Sequence, residues 1–500
     1  SDFNLRNYFS IQNGDISDVG FAEIELSAVP RIEDYVEKQL GKMCQIPFPT
    51  WFEYQWELRE EGSDTLAKIS PENVIDISKY VKEDTLTWNS PPGNWIIMRI
   101  GSDLTGARNA QAAPYATGWE VDKMNKNHLR HHFNQYVLKL LKRLSIEERK
   151  AFKHVVLDSY EQGSQNWTDD MIEDFRAKYS YDPLPWLPVL SGRIVGSTDQ
   201  SDRFLWDLRR FVADRIAYHY VGAFRDICQE NGLRIWLENY GHWGFPSEFL
   251  LYGGQSHDIG GEFWNEGELG NTECRAASSA AHIYGKRIVS AESYTSAGLA
   301  FQRHPTLLKK RGDWSFTEGI NQVVLHLYIH QPYEERNPGI NAWFGTEFNR
   351  KNTWFKQSKY WIDYQRRCMF MLRRGLPIND LCYFIGEDVP KMTGVRIPEV
   401  PKGYSFDYIN ADVILNHLSV IDGNLVLPDG MSYKMLVLPP VETMRPELLE
   451  KIQLLCKQGA AIYGAPPFRS PSLKNFPTAD KKVETIANEL WTKNKGQKGS

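Results

Sequence analysis

Four times between residues 154 and 292 a short apolar run ends in an acidic side chain. His154-Val155-Val156-Leu157 leads into Asp158 and Glu161, and Ile235-Trp236-Leu237 into Glu238; Gly260-Gly261 precedes Glu262, and Ile288-Val289-Ser290-Ala291 leads into Glu292. Polar loops and segments of helical period lie between these runs, and strand, loop and amphipathic helix in repetition is the pattern of parallel β/α construction. One helix is expected after Ser201-Asp202 as N-cap, where Leu205, Leu208, Val212, Ile216, Tyr220, Phe224 and Ile227 recur before Gly232. Another is expected over Leu129, Phe133, Tyr136, Leu140 and Leu144. A third runs from 272 to 284 on Ala276, Ala277, Ala280 and Ala281, small enough to lie close against a sheet. Strands are predicted over 96–100, 154–158, 234–238, 260–263, 289–292, 323–328 and 381–385. The fold class this predicts is α/β, a (β/α)8-type barrel over about 96–400. With seven strands found, closure is inferred and a doubly wound open sheet is the alternative.

Residues 1–95 are expected to form a β-rich accessory segment, from the alternation over 21–26 and 52–58 and the turn at Pro91-Pro92-Gly93. Over 401–500 a smaller α/β unit is expected, with strands over 435–438 and 460–463 around a helix over 446–456. A chain of 500 residues implies two or three domains. Opening on Ser1 and closing on Lys498-Gly499-Ser500, it reads as a processed or excised piece.

The 58 basic and 63 acidic residues form no basic block, which removes support for a nucleic-acid or anionic-lipid partner. No run of about 18 apolar residues occurs, so no membrane span is expected. Six cysteines without a CxxC pair give neither a zinc knuckle nor a disulfide framework. No nucleophile elbow, Walker loop or dinucleotide turn stands in the right setting. Aromatics make up 13% of the chain and often adjoin polar residues, as in Gln165-Asn166-Trp167 and Glu262-Phe263-Trp264. That mixture suits a sugar, whose C–H faces lie on rings and whose hydroxyls need donors and acceptors; filling a large core explains it equally well.

In a parallel barrel the reacting groups stand at the carboxyl ends of strands. A lone glutamate there is as well explained by a helix cap or an arginine partner, but repetition points to a shared site. Carboxylates crowded on one rim repel unless protons or a cation compensate. Glycoside hydrolysis uses such a set, one carboxyl protonating the departing oxygen and another activating water or attacking the anomeric carbon, and surplus oxygen ligands suit calcium. His326 and His330, four apart, do not make a zinc pair on a strand, and His330 is expected either to touch substrate or to be a satisfied core histidine. Gly312-Asp313-Trp314 and Asn341-Ala342-Trp343-Phe344-Gly345 are loop elements that either carry aromatics to the rim or pack within their loops.

Longer motifs add a resemblance. Asp158-Ser159-Tyr160-Glu161-Gln162-Gly163-Ser164-Gln165-Asn166-Trp167-Thr168, Arg203-Phe204-Leu205-Trp206-Asp207-Leu208-Arg209, Gly261-Glu262-Phe263-Trp264, Ala280-Ala281-His282-Ile283-Tyr284-Gly285-Lys286, Gly312-Asp313-Trp314 with Glu318-Gly319-Ile320-Asn321, and Leu427-Pro428-Asp429-Gly430-Met431-Ser432-Tyr433 resemble glycoside hydrolase family 106. The resemblance covers about 95–475. It implies a catalytic barrel, calcium-dependent hydrolysis of α-L-rhamnosides with inversion, and a C-terminal unit of glutamine-amidotransferase-like fold. It also implies that Glu161 and Glu292 occupy the acid and base positions, here taken in that order, with Glu262 beside the cation. Asp158, Glu238, Trp264, Tyr294 and His330 are the expected substrate contacts, with Trp264 and Tyr294 packing on the sugar. A carbohydrate substrate, polysaccharide degradation, a periplasmic or secreted location and membership of a longer multidomain protein are expected. The rivals are a retaining β-galactosidase-like glycosidase and a carbohydrate-binding protein without turnover.

Overall fold

The computed structural model describes residues 30–40, 68–109, 112–239, 244–266, 270–345 and 348–492. The strands expected over 21–26 and 52–58 lie outside them. Five strands, β1 (His154–Leu157), β2 (Arg234–Glu238), β3 (Asp258–Trp264), β4 (Val289–Thr295) and β5 (Gln322–Leu325), pair in chain order, all parallel, as a curled half barrel in a mixed α/β fold. Each neighbouring pair is joined through helix, so parallel order follows from the crossovers.

The expected strand over 96–100 is not one. Ile96 and Ile97 are 68% and 60% exposed, and Trp95 is engaged locally, its indole N–H donating to the Pro91 carbonyl at 2.9 Å and its ring meeting Trp88 edge-on at 5.5 Å. An apolar run becomes a strand only where a neighbour takes up its backbone groups. The run over 381–385, assigned above to the barrel, belongs elsewhere. Together β6 (Leu381–Phe384), β7 (Phe406–Ile409), β8 (Met435–Val437) and β9 (Ala461–Tyr463) make a second parallel sheet in the order β9-β8-β6-β7. That sheet therefore begins before residue 400.

The helix over Thr198–Arg215 starts four residues earlier than expected. Ser197 caps it by accepting from the Gln200 N–H, whereas Ser201 is fully buried and exchanges hydrogen bonds with the Val195 backbone. A π-helical turn (Ile216–Gly222) continues it into Ala223–Glu230. The helix expected over 129–144 is broken at Tyr136 into Lys126–Gln135 and Val137–Arg143. The alanine-rich helix Asn271–Ile283 packs close on β3: a Cβ on Gly261 would stand 2.9 Å from the Glu273 carbonyl oxygen and 3.0 Å from the Ala277 Cβ. One apolar core lies between this helix, β3, β4 and the second sheet; another lies between β1, β2 and the long helix.

Candidate active site

Register decides which side chains share a face. Leu157 pairs with Leu237, so the next residues, Asp158 and Glu238, stand side by side; Glu238 pairs with Gly260, and Glu262 pairs directly with Glu292. Since side chains alternate with period two, Asp158, Glu238, Glu262 and Glu292 line one face at the carboxyl ends of four adjacent strands. Beneath them the same face carries Trp236, Gly260 and Ser290. The Trp236 indole N–H donates to the Ser290 hydroxyl at 2.6 Å, and a Cβ on Gly260 would stand 2.5 Å from the Trp236 ring, so only glycine admits that floor.

Glu161 sits on the loop after β1, where its carboxylate accepts from the Ser159 hydroxyl at 3.1 Å. It is exposed and has no apolar setting around it. Such a setting surrounds Glu262, which is buried and accepts from the Trp264 indole N–H. Burial first, then the charge of Glu292, pushes Glu262 up to about 9. Glu238, also buried, accepts from the Ser159 backbone N–H at 3.1 Å. Burial, Glu292 and a hydrogen bond shared with Asp158 hold it well above the carboxylate range.

Glu292 is partly buried, and burial raises it. His326 and the Thr295 hydroxyl, which donates to its Oε1 at 2.6 Å, pull the other way, while Asp158 and Glu161 add to the rise. The His326 Nδ1 lies 3.6 Å from that Oε1 and 3.0 Å from the Phe344 carbonyl oxygen.

Tyr294 does not join this face. Alternation from Glu292 would bring it there, but the register slips after Phe263, where Trp264 pairs with Thr295, and Tyr294 takes φ of 68°. This bulge turns the ring into the core, fully buried against Phe263 and Trp361, with its hydroxyl accepting from Gln365 at 2.8 Å. The same slip gives Thr295 its hold on Glu292. Trp264 stays half-buried beside Glu262. His330 is exposed and lies beyond the end of β5 at Leu325, whereas His326 reaches Glu292. Because Glu292 pairs with Val324, period two carries His326 to the same face, a signal that needs the pairing of the two strands.

Among the described residues no three His, Cys, Asp or Glu side chains gather so as to hold a metal ion. The calcium that the resemblance implies would fall at Glu262, and no step of the chemistry is routed through it. No described helix is long and apolar enough to cross a membrane.

A family model described as alpha-L-rhamnosidase, glycoside hydrolase family 106, matches residues 8–500. A protein of Formosa agariphila named a beta-glucuronidase is 36% identical over 430 residues, 85% of this chain and 36% of that protein. The structure of a rhamnosidase from Novosphingobium sp. PP1Y superposes with a TM-score of 0.82 at 28% identity, covering 94% of this chain and 45% of that one. The chain thus spans less than half the length of either relative. With a match over nearly its whole length, on a half barrel whose strand ends collect carboxylates, the chain belongs to glycoside hydrolase family 106, the α-L-rhamnosidases.

Proposed function

We propose that the protein hydrolyses terminal α-L-rhamnosides of oligo- or polysaccharides with inversion, acting outside the cytoplasm as part of a longer protein. The observation that carries this is the row Asp158, Glu238, Glu262 and Glu292 with Glu161 facing it, close enough to raise the proton affinity of both Glu262 and Glu292. A face lined by carboxyl groups offers a uronate little countercharge, which favours a neutral deoxy sugar over the glucuronide that the F. agariphila protein's name suggests. Hydrolysis of an aryl α-L-rhamnoside and not of an aryl β-D-glucuronide is the expected result, and the reverse preference would overturn the substrate.

The reaction is a single displacement. Glu161 gives its proton to the glycosidic oxygen, whose bond to the anomeric carbon breaks so that the aglycone leaves as an alcohol, while Glu292 takes a proton from water, whose oxygen bonds to the anomeric carbon from the opposite side. Assigning Glu292 as base has a physical support: His326 and Thr295 both favour its ionised form. A second reading has its own, since Glu262 keeps its proton up to about pH 9 and is equipped to act as acid. Leaving-group dependence separates them. Glu161→Gln should lower the rate on alkyl rhamnosides far more than on aryl ones, and Glu292→Gln should slow both alike; if that selectivity follows Glu262→Gln instead, Glu262 is the acid. Calcium at Glu262 rests on the resemblance alone, and loss of activity on chelation with recovery on calcium addition is its test. The order β9-β8-β6-β7, with its switch between β8 and β6, supports a glutamine-amidotransferase-like reading of the C-terminal sheet.

A further inference from the structure

A row of three aromatic rings leads outward from the carboxylates. Trp264, bonded to Glu262, meets Phe344 with ring centroids 5.4 Å apart, and Phe344 meets Trp343 at 5.6 Å with the planes at 88°. Exposure rises along the row from a half-buried Trp264 to 45% at Phe344 and 81% at Trp343. Two large rings held open to solvent beside a carbohydrate-cleaving site need a reason, because apolar area left exposed contributes nothing to folding.

The loop that carries them is held in an unfavourable conformation. Phe344 has φ of 65°, a left-handed backbone that a bulky L-residue rarely adopts. Its carbonyl accepts from the Ser296 N–H at 3.1 Å and from the His326 imidazole at 3.0 Å, and the Ser296 hydroxyl donates to the Gly345 carbonyl at 2.8 Å. Ser296 directly follows β4 and His326 directly follows β5, so the loop is pinned between the exits of two barrel strands, beside Glu292. This fixes where the rings stand relative to the reacting groups.

We propose that Trp343 and Phe344 form the stacking platform of a subsite on the leaving-group side, receiving the pyranose ring to which the terminal rhamnose is attached. The proposal rests on the rhamnosidase reading and deepens it. A terminal sugar must reach the carboxylates at the strand ends, so the next ring of the chain falls where the row continues outward. Two rings at right angles make a corner in which one supports the C–H face of that pyranose and the other its edge.

The test compares wild type, Trp343→Ala and Trp343→Phe on methyl α-L-rhamnoside, an aryl α-L-rhamnoside and a disaccharide ending in α-L-rhamnose. The ratio of kcat/KM for the disaccharide to that for the methyl glycoside should fall about tenfold in Trp343→Ala and recover in Trp343→Phe. Because it is a ratio within one protein, a partly misfolded variant does not move it. An unchanged ratio overturns the platform. A fall confined to the aryl substrate overturns its assignment to a sugar. If wild type cleaves none of the three, the rhamnosidase reading itself has failed, a different result from an unchanged ratio.

Discussion

Replacing Glu262 with Gln should make the protein more stable, increasingly so as pH rises. Below its ordinary value of 4.5 the carboxyl is protonated in folded and unfolded chains alike and contributes no difference. Above it the unfolded chain releases the proton while the folded one keeps it up to about 9, so wild type loses stability across that window. From 4.5 to pH 7 lie about two and a half pH units, and at about 1.36 kcal/mol each they come to about 3 kcal/mol, approaching about 6 near pH 9. Glutamine carries no charge in either state, and its amide oxygen still accepts the Trp264 N–H. Thermal unfolding of both proteins at pH 5, 7 and 8.5 in chelator should show curves that nearly coincide at pH 5 and separate progressively above it. A gap independent of pH, or a variant less stable at pH 8.5, would refute the electrostatic account of this cluster. Should calcium bind at Glu262, its addition would stabilise wild type alone and narrow the gap.

Two further predictions concern neighbouring side chains. His326 favours the ionised form of Glu292, so His326→Ala should raise the proton affinity of Glu292 and move the acid limb of the kcat/KM profile to higher pH, while a fixed limb would separate His326 from the base. Tyr294→Phe should lower stability by about 1–3 kcal/mol by stranding the buried Gln365 amide, yet preserve kcat/KM, because the ring faces away from the carboxylates. A large loss of activity without loss of stability would contradict that placement.

The strand ends were legible because each carries its own local signal, an apolar run closed by an acid. The face those acids share was legible only through period two, and that rule holds only while the register does. It carried Glu238, Glu262 and Glu292 together and failed at Tyr294, where a single residue of extra length in β4 is invisible to pattern. The same rule counted from Glu292 across to Val324 reaches His326, but it needs the pairing of two strands, which no single segment encodes. Sheet membership was the least legible feature: the run over 381–385 is as apolar as any barrel strand, and only its neighbours β7 and β8 assign it to the second sheet. Exposure at Glu161 was likewise unreadable, since burial depends on what the rest of the chain covers.

The central claim is a single displacement in which water, activated by one carboxylate, attacks the anomeric carbon opposite the departing oxygen. Proton NMR of an α-L-rhamnoside digest, recorded before mutarotation proceeds, tests it most directly. The account predicts β-L-rhamnose as the first product, converting later to the anomeric mixture, and α-L-rhamnose appearing first would contradict it.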